Sequence, residues 1–280
     1  MARPFQLVDV FGSGDFTGNP LAVIADAEGL EAEEMQRITR WLNLSETTFL
    51  LPPTRPDADY RLRIFTLARE LPFAGHPTLG TCHAWLAAGG QPRHTGRIVQ
   101  ECGAGLVTIR QNAAGLAFEA PPLSRSGPPS AEDLAEACAV LRIERAAVAD
   151  AAWIDNGPGW LGIMLHSAKA VLAVDPVGRH ERQIDIGLIG AHPPGSEAAY
   201  EVRALFTDPR GTIIEDPVTG SLNASVAQWL FATGQVRGAY VAAQGTCLGR
   251  AGRVQIDRDA KGRVWVGGAT RSLFTGLALG

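Results

Sequence analysis

The chain has 280 residues, of which 46% are apolar and 19% charged, with a formal net charge of -4. This length suits two domains that each bury a core, and the composition excludes extended disorder. The acidic balance excludes a general nucleic-acid binder, which needs a basic surface to displace counterions. No stretch has the length and apolar character of a membrane span or signal sequence, so we expect a cytoplasmic protein without a membrane partner.

Two polar segments stand out in the first 51 residues. T-G-N-P at 17–20 is typical of a turn and contains Asn19. In N-L-S-E-T-T-F-L-L at 43–51, Glu46 stands among strand-like and apolar neighbours. Partial desolvation there would suit a carboxyl group that acts as acid or base. Glutamate after serine is also a common cap of local backbone, and the residues alone leave both uses open.

A strand, a loop and a helix follow. Y-R-L-R-I-F-T at 60–66 alternates polar and apolar residues, which predicts a half-buried strand. The loop holds Gly75 and His76 in G-H-P, and we expect Thr81 to cap the run of helix formers that comes after it. Residues 120–133 are rich in Pro, Ser and Gly. They predict a boundary between domains at 1–122 and 130–280, with the final strand in either one.

The second half repeats this pattern at an offset of 140 without a gap. The identical pairs are Tyr60 and Tyr200, Arg63 and Arg203, Pro77 and Pro217, Gly80 and Gly220, Ala84 and Ala224, and Ala87 and Ala227. On this alignment His76 matches Asp216, and Glu46 has no counterpart because position 186 is an isoleucine. Duplication predicts two pseudo-symmetric halves whose helix N-termini face one cleft. Such a cleft would bind an anionic substrate, most simply a carboxylate.

The start of each expected helix supplies candidate binding residues. Thr81 and Ser221 are expected to cap their helices and also to bind a substrate oxygen. Gly80 and Gly220 would let a substrate approach backbone N–H groups. The G-S-G at 12–14 lacks the rest of a dinucleotide fingerprint, and the histidines show no ligand spacing. We therefore predict neither a metal nor an organic cofactor.

Four ordered motifs carry a resemblance to a known family. They are T-G-N-P-L-A-V at 17–23, L-N-L-S-E-T-T-F-L at 42–50, E-L-P-F-A-G-H-P-T-L-G-T at 70–81 and E-D-P-V-T-G-S at 215–221. The chain resembles the PhzF-like (phenazine-biosynthesis-like) proteins. The resemblance implies a diaminopimelate-epimerase-like α/β (α+β) fold. In that fold each of two domains has a mostly antiparallel, barrel-like sheet around a central helix.

The resemblance also implies a function. It points to a homodimeric isomerase that moves a proton on a dihydro-hydroxyanthranilate-like carboxylate without a cofactor. Glu46 falls on the family's acid/base glutamate. His76, Asp216 and Ser221 fall on its other functional positions, while Gly75 belongs to the G-H-P motif and Asn19 to a loop at the rim of the site.

Two other functions stay open. A racemase or epimerase of an amino acid or related acid would share the fold but use paired cysteines, whereas the matched positions here hold His76 and Asp216. A non-catalytic metabolite-binding protein is also compatible with the sequence, because a fold does not dictate function.

Overall fold

The computed structural model describes residues 2–112 and 115–278, with the side chain of Asn112 left out. The chain divides into two compact units. Unit 1 comprises Met1–Glu119 and Gly267–Gly280, and unit 2 comprises Ala120–Val266. The division falls at the start of the Pro-, Ser- and Gly-rich segment, and the C-terminal segment groups with unit 1.

The described residues form eighteen strands, five α-helices and two short 3₁₀ turns. The strands are β1 (Arg3–Val10), β2 (Asn19–Ile24), β3 (Glu46–Leu51), β4 (Tyr60–Thr66), β5 (Glu70–Leu71), β6 (Arg97–Cys102), β7 (Gly105–Asn112), β8 (Gly115–Glu119), β9 (Arg125–Gly127), β10 (Val148–Asp155), β11 (Trp160–Leu165), β12 (Asp185–Ala191), β13 (Tyr200–Thr207), β14 (Ile213–Asp216), β15 (Tyr240–Gln244), β16 (Gly252–Arg258), β17 (Val264–Gly268) and β18 (Thr270–Ala278). The helices are α1 (Ala32–Leu42), α2 (Gly75–Ala87), α3 (Ala131–Leu141), α4 (Ala168–Leu172) and α5 (Gly220–Ala232), and the 3₁₀ turns are Arg145–Ala147 and Thr246–Leu248.

The two units pair their strands in the same order and sense. In unit 1, β1–β2, β3–β4, β4–β5 and β6–β7 are antiparallel, while β2–β3 and β4–β6 are parallel. In unit 2, β10–β11, β12–β13, β13–β14 and β15–β16 are antiparallel, while β11–β12 and β13–β15 are parallel. The chain is therefore duplicated, as its repeat predicts. In unit 1, β18 also pairs with β1.

Each unit has one buried helix: α2 follows β4 and β5 in unit 1, and α5 follows the equivalent strands β13 and β14 in unit 2. In α2 the residues from Gly75 to Cys82 are all buried, and in α5 the run from Leu222 to Ala227 is buried. A helix buried on all sides is a central helix, because a surface helix exposes one face. The expected arrangement of a mostly antiparallel sheet with a central helix is thus present in both units.

A second apolar layer covers the other face of each sheet. In unit 1, Met35 of α1 packs with Ile24, Phe49 and Phe65. In unit 2, residues of α3 and α4 pack against alternate residues of the strands, among them Ile186 of β12. Since side chains alternate along a strand, residues flanking these positions face the central helix instead. This alternation places the site residues described below.

The repeat is not gapless, which corrects the offset of 140. That offset holds for β4 and β13, which begin at Tyr60 and Tyr200. However, Leu71 pairs with Ile64, whereas Asp216 pairs with Ala204. The connection from β13 to β14 is therefore five residues longer than that from β4 to β5, and the offset is 145 from there to the ends of α2 and α5. E-L-P-F-A-G-H at 70–76 aligns with E-D-P-V-T-G-S at 215–221.

The corrected register changes the predicted counterparts. His76 is equivalent to Ser221, and Asp216 is equivalent to Leu71, so the expectation that His76 and Asp216 are mirror partners is wrong. Glu46 pairs with Thr66 on β4, and the equivalent residue of β13, Phe206, pairs with Asp185. The expectation that Glu46 has no counterpart is also wrong, because Asp185 occupies that place.

Candidate active site

Glu46 is the first residue of β3 and faces the central helix of unit 1. Two residues further along, the hydroxyl of Thr48 accepts a hydrogen bond of 2.8 Å from Thr81 of α2, which shows that this side of β3 faces α2. The Glu46 side chain is 17% exposed, and its Oε2 lies 3.5 Å from Nδ1 of His76. Glu46 begins a strand and not a helix, so it is not the N-cap of a helix.

His76 is the second residue of α2 and is almost fully buried. Burial lowers the pKa of His76 to about 3, although a hydrogen bond to the backbone of Pro20 opposes this shift. The ring is therefore neutral at physiological pH, and its contact with Glu46 is not an ion pair. Asn19, which is also buried, places Nδ2 3.5 Å from the same Nδ1 atom. Unit 1 thus brings together Asn19, Glu46 and His76.

Gly80 and Thr81 lie in the second turn of α2 and not at its N-terminus. The helix begins at Gly75 with Ala74 as the N-cap, so the expectation that Thr81 caps it is wrong. A side chain at Gly80 would lie 2.5 Å from Leu21 and would clash with it. Both residues are buried in the packing of α2 against the sheet. Their assignment to substrate binding loses its basis, because it depended on their being at the helix start. Gly75, by contrast, is the first helical residue.

In unit 2, Asp216 ends β14 just before α5. Its Oδ2 accepts a hydrogen bond of 2.6 Å from the hydroxyl of Thr219, and its carbonyl oxygen accepts one of 3.2 Å from Nε2 of Gln244. Thr219 is the N-cap residue and Gly220 the first residue of α5. The expectation that Ser221 caps this helix is therefore also wrong. Asp216, Gly220 and Ser221 nevertheless lie together at the start of α5.

Ser221 is held by the loop that leads into β11. Trp160 donates its indole N–H to Ser221 Oγ over 3.2 Å, and Asn156 donates from Nδ2 to the Ser221 carbonyl over 2.9 Å. Because Oγ accepts from the indole, the single hydroxyl proton of Ser221 is directed elsewhere and can be donated to a ligand.

Asp185 is a buried carboxylate that lies outside the four sequence motifs. It begins β12 and lies in the strand position equivalent to Glu46. A side chain at Gly187, two residues on, would meet Leu222 of α5 at 2.3 Å, so this side of β12 faces α5. Gln183 donates to both Asp185 carboxylate oxygens, over 3.3 and 3.1 Å. The signal that identifies Asp185 is the strand register, which the sequence does not display.

Comparison with known proteins agrees with this architecture. The sequence profile of the family described as "Phenazine biosynthesis-like protein" matches residues 8–276. "Antisense-enhancing sequence 1" of Schizosaccharomyces pombe is 33% identical, with 97% of each chain covered. The trans-2,3-dihydro-3-hydroxyanthranilate isomerase of Pseudomonas chlororaphis is 32% identical over 83% of this chain and 81% of its own. The solved structure titled "Predicted Epimerase" from Pseudomonas aeruginosa is 26% identical, has a TM-score of 0.81 and covers 99% of both chains.

The duplicated units and these relatives define an isomerase of the diaminopimelate-epimerase-like fold. More specifically, the chain belongs to the phenazine biosynthesis-like family, PhzC-PhzF. The fold class, the family and the enzyme class expected from the sequence are therefore confirmed. In residues 2–112 and 115–278, no helix is long and apolar enough to cross a bilayer.

Proposed function

We propose that this protein moves a proton on a small carboxylate similar to dihydro-hydroxyanthranilate, with Glu46 as the acid/base and no metal or organic cofactor. The observation that carries the proposal is the 3.5 Å approach of Glu46 Oε2 to the ring of neutral, buried His76. A cationic partner at this distance would hold the carboxyl group ionised. A neutral partner lets Glu46 both take up and release a proton during turnover.

In the proposed reaction, the Glu46 carboxylate removes a proton from an activated ring carbon. The electron pair left behind spreads over the conjugated double bonds of the substrate. The same carboxyl group then returns the proton to a different carbon, which regenerates the carboxylate and leaves the atom count unchanged. One positioned acid/base of this kind contributes about 10²- to 10⁴-fold in rate.

We assign substrate binding to the two helix starts. Backbone N–H groups at Gly75 of α2 and Gly220 of α5 would bind anionic oxygens, because a helix N-terminus carries a partial positive charge. The Ser221 hydroxyl would donate to the same substrate carboxylate. Asp216 and His76 would contact the substrate's amine or hydroxyl groups, and Asn19 would keep the His76 ring in place.

The test is proton exchange in heavy water. Wild-type protein is incubated in D₂O with small cyclic and amino carboxylates, including trans-2,3-dihydro-3-hydroxyanthranilate, and deuterium uptake is followed by mass spectrometry. We expect uptake at ring carbon with wild type and a loss of at least about 100-fold with Glu46→Gln. The matched control is Glu101→Gln, since Glu101 is a buried glutamate of the same unit that bonds Thr54 and Arg55. Full exchange with Glu46→Gln would refute the assignment.

Racemisation or epimerisation is a second candidate, which the position of Asp185 favours. Inversion by two bases needs an acid/base group in each half, and Glu46 and Asp185 are carboxylates at equivalent strand positions. If this reaction operates, wild type interconverts the enantiomers of an amino or hydroxy acid in D₂O. Asp185→Asn would then block exchange from one enantiomer and Glu46→Gln from the other. Loss of deuterium exchange from both enantiomers with Glu46→Gln alone would eliminate the two-base reaction.

We also propose that the enzyme is a cytoplasmic homodimer. Four large apolar side chains among the described residues of unit 1, Phe16, Trp41, Phe274 and Leu277, are more than half exposed, and the rings of Phe16 and Phe274 lie 5.9 Å apart. Exposed apolar groups of this kind suit burial against a second copy. Light scattering of the purified protein tests this, and Phe274→Glu is expected to shift a dimer to monomer.

A further inference from the structure

The side chain of Gln244 is fully buried at the end of β15, and its hydrogen bonds go to the turn before α5 and to the first turn of that helix. Its Oε1 accepts from the Thr219 backbone N–H over 3.0 Å and from Asn223 Nδ2 over 2.7 Å. Its Nε2 donates to the Thr219 hydroxyl over 2.9 Å and to the Asp216 carbonyl over 3.2 Å. A primary amide offers two donors and two acceptor sites, so its capacity is filled.

The direction of each bond is fixed by chemistry. The Thr219 backbone N–H only donates, so Oε1 of Gln244 must face it and Nε2 must face the Thr219 hydroxyl. That hydroxyl therefore accepts from Gln244, which leaves its one proton for Asp216 Oδ2, 2.6 Å away. The bonds run in a single direction, from Gln244 through Thr219 to the Asp216 carboxylate.

We propose that Gln244 is a positioning residue for Asp216, acting through the Thr219 hydroxyl. It fixes the rotamer of Thr219 and the direction of its proton, and so holds the Asp216 carboxylate in one orientation at the start of α5. The catalytic consequence rests on the role proposed above for Asp216. The positioning itself is a property of unit 2 and does not depend on the substrate.

Unit 1 supports this assignment because it lacks the arrangement. At the positions equivalent to Asp216 and Thr219 it has Leu71 and Ala74, which have no side-chain hydrogen-bonding groups. A fully buried glutamine of unit 1, Gln100, accepts from the Tyr60 hydroxyl over 3.1 Å and donates to the Thr78 hydroxyl over 3.0 Å. The hydrogen-bond relay from a buried glutamine through a threonine hydroxyl to a carboxylate thus occurs in unit 2, whose turn contains an aspartate.

The first experiment needs no substrate. Three-bond couplings of the Thr219 methyl carbon report its side-chain rotamer in solution. We expect one rotamer in wild type, averaging in Gln244→Met, and one rotamer in Gln100→Met, which makes the same change at a buried glutamine of unit 1. A single unchanged Thr219 rotamer in Gln244→Met would overturn the proposal.

The second experiment measures turnover of trans-2,3-dihydro-3-hydroxyanthranilate. Hydrogen bonds to charged groups contribute about 1.5–3 kcal/mol, so we expect Gln244→Met to lower kcat about 10- to 100-fold with little change in KM. Thr219→Val should match it, the double variant should be no worse than either single one, and Thr219→Ser should recover most of kcat. Additive losses in the double variant would overturn the relay. Absence of turnover in wild type contradicts the proposed function instead, and leaves the rotamer result standing.

Discussion

The segments at 70–76 and 215–221 follow equivalent paths in the two units but carry different side chains. Both begin with a glutamate that pairs with a strand arginine, have proline as the third residue, and reach a glycine that starts a buried helix. The remaining positions hold Leu71, Phe73, Ala74 and His76 in unit 1 and Asp216, Val218, Thr219 and Ser221 in unit 2. The residues that set the backbone path recur in both units, whereas the positions that differ include His76, Asp216 and Ser221, to which we assign contacts with the substrate.

The two arginine–glutamate pairs should differ most in their contribution to stability. Arg203 and Glu215 are 6% and 8% exposed, and Arg203 also donates to the carbonyls of Val171 and Val174. Arg63 and Glu70 are 28% and 41% exposed. Arg203→Met leaves a buried unpaired carboxylate and should cost about 3–5 kcal/mol. Arg63→Met should cost about 0.2–1 kcal/mol.

Urea unfolding of the two variants measures this difference. Double variants that also replace Glu215 or Glu70 by Gln serve as controls, since the neutral amide should recover part of the loss only in unit 2. Equal losses for Arg203→Met and Arg63→Met would mean that burial does not distinguish the two segments.

The second difference is that His76 titrates and Ser221, its equivalent, does not. Because the folded pKa of His76 is lowered to about 3 from an unfolded value near 6.5, the unfolded chain binds one more proton between these values. The contribution of neutral His76 to stability is therefore fully present above about pH 6.5. Between about pH 6.5 and pH 3 the free energy of unfolding falls by about 1.4 kcal/mol for each pH unit. His76→Gln should remove this part of the acid dependence. Identical pH slopes in wild type and variant between pH 6 and 4 would contradict the account.

A smaller effect is expected where the strands contact the central helices. Thr48 of unit 1 is equivalent to Gly187 of unit 2, where a side chain would meet Leu222 at 2.3 Å. Gly187→Ala should cost about 1–3 kcal/mol because it overfills this contact. In thermal unfolding, the double variant with Leu222→Ala should lose less than the sum of the single losses. Strict additivity would show that the contact is not the cause.

The sequence predicted the strands β4 and β13, the helices after them and the duplication, because these depend on local pattern, whereas the central position of the helices came from the family resemblance. It misaligned the motifs because unit 1 contains P-x-x-G twice, at 72–75 and 77–80, and either copy matches P-V-T-G at 217–220. The gapless offset selects the second copy. The glutamates at 70 and 215, each two residues before a proline, are the signal that selects the first.

Two residues beside the candidate site, Gln244 and Asp185, were beyond prediction for a different reason. Gln244 is 25 residues away from Thr219 in the chain, and only the parallel pairing of β13 and β15 brings the end of β15 to the turn. The recognition of Asp185 as the equivalent of Glu46 depends on the register of β12, which departs from the gapless offset of 140 by one residue. Since a shift of one residue moves a side chain to the other face of a sheet, no counting along the sequence would have identified it.

The central claim is that Glu46, and not its equivalent Asp185, moves the proton. The most direct test compares Glu46→Gln and Asp185→Asn for deuterium uptake from D₂O into trans-2,3-dihydro-3-hydroxyanthranilate, with circular dichroism to confirm folding. The account predicts that Glu46→Gln loses uptake by about 100-fold or more while Asp185→Asn retains it within about tenfold. Retained uptake in Glu46→Gln together with loss in Asp185→Asn would contradict it and assign the chemistry to unit 2.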